Sequence, residues 1–258
     1  MIVKDDGCSG TSSPSGSWPE RAAAGGSPAP IAAPLVAVAH GSRDPAAQRV
    51  IGQLADEIRR LAPGLPVATA FLQHAEPSLA ASLAAAGPGA VIVPLLLSPG
   101  YHLETDIAAA SRAAGAAVAR PLGPDPLLTG ALLARLAEAG VPAGTPLVLA
   151  AAGSADPRAV VATERQAELL ADATGAAVLA GYAAAAGPTV SEAVSALAGH
   201  TGRAVAIASY LLAPGHFQDR LSAGQAARWV TEPLGAHGSV VRLVLARYRE
   251  ADDSSGRN

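Results

Sequence analysis

Leu35-Val36-Ala37-Val38-Ala39-His40-Gly41-Ser42-Arg43-Asp44-Pro45 returns later in the chain as Leu147-Val148-Leu149-Ala150-Ala151-Ala152-Gly153-Ser154-Ala155-Asp156-Pro157. The first copy reads as a short apolar strand running into a loop after which Asp44 caps a helix and Pro45 fits its first turn, and the two copies share the frame Gly-Ser-x-Asp-Pro. Two further segments repeat at nearly the same spacing. Phe71 to Pro77 answers Tyr182 to Pro188, and Leu96-Leu97-Ser98-Pro99-Gly100 answers Leu211-Leu212-Ala213-Pro214-Gly215. The offset is 112 residues at His40 and Ala152, 111 at Pro77 and Pro188, and 115 at Gly100 and Gly215. Near-constant offsets at three places identify an internal duplication of a unit of about 110 residues.

Each unit alternates apolar runs with alanine-rich segments of helical period. In the first, Leu35–Ala39, Pro66–Leu72, Ala90–Leu97 and Ala116–Pro121 read as strands. Residues 45–61, 78–86, 106–114 and 127–139 read as helices. On the first helix the stripe is Val50, Leu54, Ile58 and Leu61, with Asp56, Glu57, Arg59 and Arg60 mostly off it. Continuous apolar strands joined by helices predict a parallel sheet covered on both faces, so the fold class is α/β and doubly wound. The stretch 123–146 is expected to hold the last helix of the first unit and the link to the second.

Composition narrows the function. Hydrophobic residues are 50% of the chain but aromatics only 3%. The mean hydropathy of +0.30 therefore reflects alanine-rich helices. No apolar run approaches the roughly 20 residues that span a bilayer. The net charge is −3 and no cluster of Lys and Arg marks a nucleic-acid surface. Positive charge is carried almost wholly by arginine, whose planar fork suits carboxylates. The single cysteine, Cys8, excludes an internal disulfide and a cysteine-held cluster, and fits a reducing, cytoplasmic setting. Neither a G-x-x-x-x-G-K-[ST] loop nor a G-x-G-x-x-G fingerprint follows a strand, which argues against nucleotide chemistry.

The chemistry-bearing residues are His40 and His102. Each stands just beyond an apolar run, at the sheet edge where open α/β sheets bind ligands. Two neutral imidazoles there suit a borderline divalent ion and can take up protons. The second unit has lost the arrangement: Ala152 stands for His40, and in an ungapped alignment Phe217 stands for His102 and His216 for Tyr101. Asp106, four residues past His102, is expected either to orient that imidazole or to cap the following helix. His74 follows a strand, and one histidine there argues little by itself. His216 is left open, Glu104 reads as a solvated charge, and His200 and His237 receive no role.

Three segments together carry a resemblance: Ala39-His40-Gly41-Ser42-Arg43-Asp44-Pro45; Ala70-Phe71-Leu72 leading to Glu76-Pro77-Ser78-Leu79; and Val93-Pro94-Leu95-Leu96-Leu97-Ser98-Pro99-Gly100-Tyr101-His102 with Asp106-Ile107. The chain resembles the sirohydrochlorin chelatase family of class II tetrapyrrole chelatases, in its long form of two tandem halves, over residues 35 to 248. The resemblance implies two chelatase-like (flavodoxin-like, doubly wound) lobes. It implies ATP-independent insertion of Co²⁺ or Fe²⁺ into sirohydrochlorin, in cobalamin or sirohaem biosynthesis. The two family histidines match His40 and His102, as metal ligands and proton acceptors. The chain departs from the pattern at Gln73, where family members often carry an acidic residue.

The expected organisation is a disordered tail at 1–33, an N-terminal lobe with the histidine pair at 34–125, a helix and connection at 126–146, a degenerate C-terminal lobe at 147–248, and a tail at 249–258. Ser42 and Arg43 are the candidates for holding substrate carboxylates. No permanent cofactor is expected, since Co²⁺ or Fe²⁺ is a substrate. The expected partners are the tetrapyrrole and the metal, with no nucleic acid and no membrane, and the chain acts as a monomer or homodimer. The rival reading is a non-catalytic tetrapyrrole or metal carrier, which would bind stoichiometrically without turnover.

Overall fold

Asp44 begins the first helix as the sequence requires. Its Oδ1 accepts the Ala46 N–H at 2.8 Å, and Pro45 occupies the first turn. Asp156 repeats this before Pro157, accepting the Arg158 N–H at 2.9 Å. The computed structural model describes residues 32–223 and 226–256, and for residues 101–104 the backbone alone. The expected tail lies outside the described residues as far as Ile31.

The first lobe runs β1 (Leu35–Ala39), α1 (Pro45–Leu61), β2 (Val67–Phe71), α2 (Leu79–Ala86), β3 (Val91–Pro94), α3 (Tyr101–Ala114), β4 (Ala117–Val118) and α4 (Pro126–Glu138). The second runs β5 (Leu147–Ala151), α5 (Pro157–Thr174), β6 (Val178–Tyr182), α6 (Val190–Thr201), β7 (Ala206–Tyr210), α7 (His216–Ser222), β8 (Trp229–Val230) and α8 (Gly238–Ser254). The sheets are parallel, in orders β2-β1-β3-β4 and β6-β5-β7-β8. Equivalent registers recur: Ala39 faces Phe71 in one and Ala151 faces Tyr182 in the other. The doubly wound α/β class and the tandem lobes stand as read from the sequence.

Strand alternation divides each sheet between two cores. Leu35, Ala37, Ala39, Val91 and Val93 face a core that also holds Leu147, Leu149, Ala151, Ala206 and Ala208. Val36, Val38 and Ile92 face the opposite side, with Leu79, Leu83 and Ile107 of α2 and α3. Val148, Ala150 and Ile207 do the same against α6 and α7. The largest core therefore lies between the lobes.

The helices that fill it are exchanged. α4 packs on α5 and β7 of the second lobe, and α8 packs on α1, β3 and β4 of the first, while α4 and α8 pack on each other. The stretch expected to be the first unit's own last helix thus completes the second sheet. Leu128, Ala131 and Leu132 of α4 and Val240, Val241 and Val244 of α8 are wholly buried there. Arg247 of α8 is 1% exposed. It donates to the Pro121 carbonyl at 3.0 Å, to the Leu122 carbonyl at 2.9 Å and to Asp125 Oδ2 at 2.8 Å. Asp125 Oδ1 accepts the Leu127 N–H at 2.9 Å and so caps α4. One carboxylate joins the two exchanged helices.

Several boundaries differ from the sequence reading. The buried stripe of α1 is Ala47, Ile51, Leu54, Ala55 and Ile58, whereas Leu61 is 43% exposed. β3 ends at Pro94 rather than Leu97. α3 begins at Tyr101, directly after Gly100, because nothing in Tyr101-His102-Leu103-Glu104 breaks a helix. His102 therefore lies in the first turn of α3 and not in a loop. Asp106 lies inside the helix and is exposed, so it is no cap. α8 continues to Ser254, so 249–254 is helical where a loose tail is expected. Within that stretch Glu250 pairs with Arg120 at 2.9 Å.

Candidate functional site

In the order β2-β1-β3-β4 the chain winds one way from β1 to β2 and the other way through β3. The C-terminal ends of β1 and β3 are therefore the switch point, where the crossing helices diverge and leave a crevice. His40 follows β1 at that point. A cavity of about 270 Å³ opens there, lined by Ala39, His40, Gly41 and Ser42 together with Gln48 and Ile51 of α1. Its opposite wall is the second lobe, residues 211–218, which follow β7 and enter α7.

The loop after β1 is fixed from several sides. Ser42 Oγ accepts the Asp44 N–H at 3.0 Å, and the Ser42 carbonyl accepts from Gln48 Nε2 at 3.0 Å. The His40 carbonyl accepts the Gln73 N–H at 2.9 Å, tying the ends of β1 and β2. Gly41 has φ +99°, and a Cβ there would run into the Gln73 carbonyl oxygen. Only glycine satisfies both conditions. Gly153 repeats this against the Ala184 carbonyl at φ +91°.

His40 stands exposed at the rim of the cavity. Desolvation of its covered side and, after it, the charge of neighbouring His74 hold its imidazole below the ordinary histidine value. It is therefore neutral near neutral pH, with a lone pair free for a metal ion or a proton. The His40 and His74 rings lie 6.5 Å apart between centroids, at 84°. Sequence reasoning undervalued His74, because only the contact between the β1 and β2 ends brings it to His40.

Of the other candidates, Ser42 lines the cavity, with its Oγ engaged in the local turn. Arg43 is exposed beside the same loop and is not a lining residue. His102 belongs to the helix that follows β3, and its side chain lies outside the described residues, as does that of Glu104. His216 and Phe217 line the second-lobe wall with ring centroids 5.7 Å apart. Phe217 is 36% exposed, an aromatic face offered to the cavity in a chain with two phenylalanines. Its signal in the sequence was its register with His102, which by itself named no role.

The second-lobe wall is braced from behind. Gln218, buried, accepts from Ser209 Oγ at 2.6 Å and donates to the Thr231 carbonyl at 3.0 Å. Tyr210, at the end of β7, donates across the lobes to the Leu97 carbonyl at 2.8 Å. Burial and, secondarily, the charge of Asp125 keep the Tyr210 hydroxyl protonated far above its ordinary range. Among the described residues no group of three or more His, Cys, Asp or Glu is gathered for a metal ion. No described helix is long and apolar enough to cross a membrane.

Known proteins share this fold. The structure is similar to that of SirB from Bacillus subtilis with Fe³⁺, at a TM-score of 0.73 and 26% identity, over 86% of this chain and 97% of that one. It is similar also to CbiX, described as the terminal enzyme for biosynthesis of siroheme in denitrifying bacteria. Here the TM-score is 0.65 and the identity 28%, over 84% and 99% of the two chains. A sirohydrochlorin cobaltochelatase of Methanosarcina acetivorans is 34% identical over 77 residues, which are 28% of this chain and 59% of that protein. The chain thus spans about three-fifths of that curated relative. The CbiX family model matches twice, at residues 34–139 and 146–251, once over each sheet. With both repeats matched over most of its length, the chain belongs to the CbiX family.

Proposed function

We propose that this protein inserts Co²⁺ or Fe²⁺ into sirohydrochlorin without ATP, as a lyase of cobalamin or sirohaem biosynthesis acting in the cytoplasm. The observation that carries the reading is the cavity at the first lobe's switch point, with His40 at its rim and the second lobe as its far wall. Insertion exchanges two pyrrole N–H protons for one divalent ion. The site must therefore hold an ion loosely and accept protons near neutral pH. A neutral imidazole does both, with far less affinity than a thiolate cluster. His40 and His102 are proposed to hold the metal and take the protons. Ser42 and Arg43 are proposed to hold carboxylates at the macrocycle edge. Family membership and the likeness to SirB with Fe³⁺ support the same chemistry.

The test is anaerobic absorbance of sirohydrochlorin with the purified chain and Co²⁺ or Fe²⁺, comparing wild type with His40→Ala and His102→Ala. Spectral conversion above the spontaneous rate, lost in both variants, is the expected result and ranks the metals. A shift that saturates at one equivalent without turnover identifies a carrier instead. Turnover indifferent to both histidines places the site elsewhere.

A further inference from the structure

We propose that His74 is a metal ligand, forming with His40 a docking site that receives the divalent ion at the cavity rim before transfer. The inference deepens the chelatase reading and rests on it for the ion's fate. Three observations carry it. The first is proximity: the rings lie 6.5 Å apart at 84°. With metal–nitrogen bonds of about 2.0–2.1 Å, two imidazoles sharing one ion have ring centres roughly 5–6.5 Å apart. The observed separation is the outer end of that span. His74 is exposed, so rotation about its side-chain bonds closes the remainder.

The second observation is backbone conformation. His74 has φ +61°, a left-handed geometry uncommon for a residue with a Cβ. It follows Gln73, whose N–H is bonded to the His40 carbonyl. The strained turn is thus anchored on the backbone of the other histidine. The third observation is the second lobe. Ala185 holds the same geometry at φ +57°, and the Ala184 N–H donates to the Ala152 carbonyl at 2.9 Å, repeating the anchor. There both ring positions are alanine, Ala152 for His40 and Ala185 for His74. The two rings are present together in one lobe and absent together from the other, although the backbone is the same. A ring kept only for local packing would not need its partner.

The second lobe also shows that alanine is accommodated at this geometry, so His74→Ala is expected to fold. The experiment titrates the full chain with Co²⁺ alone, without tetrapyrrole. It follows the cobalt absorbance bands and the paramagnetically shifted imidazole N–H proton resonances. Wild type is expected to show shifted resonances that include those of His40 and His74, each assigned by its loss in the matching variant. His74→Ala should lose one and bind Co²⁺ roughly 10–100-fold more weakly, the range seen when a group supporting a metal site is removed. His40→Ala should lose the other. In turnover, His74→Ala should raise the KM for Co²⁺ with little change in the KM for the macrocycle. Unchanged resonances and unchanged Co²⁺ affinity in His74→Ala overturn the docking site and leave the chelatase reading intact. Co²⁺ binding that depends on both His40 and His74, by a wild type that never metallates the macrocycle, overturns the activity and leaves the docking site intact.

Discussion

The Tyr210 hydroxyl donates to the Leu97 carbonyl at 2.8 Å, so the end of β7 in one lobe holds the chain just before α3 in the other. The Tyr210 side chain is buried, and α3 carries His102 in its first turn. Tyr210→Phe leaves that carbonyl without its partner. The expected loss is about 1–2 kcal/mol, read as a lowered urea midpoint at unchanged m-value. An unchanged midpoint would mean that the carbonyl finds another donor.

Gly41→Ala combines an unfavourable φ with a collision against the Gln73 carbonyl. It is expected to destabilise by about 2 kcal/mol or more. Gly153→Ala meets the same collision in the second lobe and should destabilise similarly. Only Gly41→Ala should also depress turnover per folded molecule, because it displaces His40. Equal activity in the two folded variants would refute the placement of the reaction in the first lobe.

Arg247 and Asp125 form a buried pair between the exchanged helices. Arg247→Leu strands the carboxylate and two carbonyls and should cost about 3–5 kcal/mol. Adding Asp125→Asn removes the stranded charge but keeps an oxygen to cap α4. The double variant should therefore be more stable than Arg247→Leu alone, by a double-mutant cycle in denaturant. Strict additivity would show that the pair is not coupled.

Phe217 presents its ring to the cavity from the second lobe. Stacking on a flat macrocycle is worth about 1 kcal/mol, so Phe217→Ala should raise the KM for sirohydrochlorin roughly fivefold with kcat nearly unchanged. Thermal stability should hold, since the side chain is exposed. A fall in kcat at constant KM would instead put Phe217 in the chemical step.

His237 caps α8, its Nδ1 accepting the Ser239 N–H at 3.2 Å. Burial and then Arg135 hold its pKa below the ordinary histidine value, with Arg242 adding to the shift and Glu138 opposing it. The folded state thus favours the neutral ring more than the unfolded chain does. The contribution is complete above about pH 6.5, the unfolded value, and is lost as pH falls through the lowered folded value. His237→Asn keeps a capping oxygen without titrating, so its stability should vary less with pH between about 7 and 5. Parallel pH profiles for the two proteins would exclude this source.

The sequence was most legible where one local signal decided the outcome. Asp44-Pro45 announced a helix start, which the repeated frame at Asp156-Pro157 matches, and the strands β1 and β5 fell where the apolar runs lay. It was less legible where tertiary packing decided. The α1 stripe turned from Val50 to Ile51 because the sheet lies under Ala47, Ile51, Leu54 and Ile58. The start of α3 was missed because Gly100 supplies no side-chain cap. The place of His40 at a sheet edge, where the cavity opens, was legible from its position after a strand. His74 was not, since its nearness to His40 depends on a bond between the ends of two different strands. No local pattern announces that α4 and α8 change places, because an apolar helical stripe does not name the sheet it covers.

That exchange governs the order in which the protein can be made. β1 precedes α8 by about 200 residues of synthesis, yet one face of its sheet waits for that helix, whose Tyr248 hydroxyl donates to the Ala33 carbonyl at 2.8 Å. The first lobe must remain unfinished, its apolar face uncovered, until α8 has emerged. Maturation of the first lobe is thus timed by the synthesis of α8, and a nascent chain cut short before residue 238 would carry the first sheet without the helix that covers one of its faces.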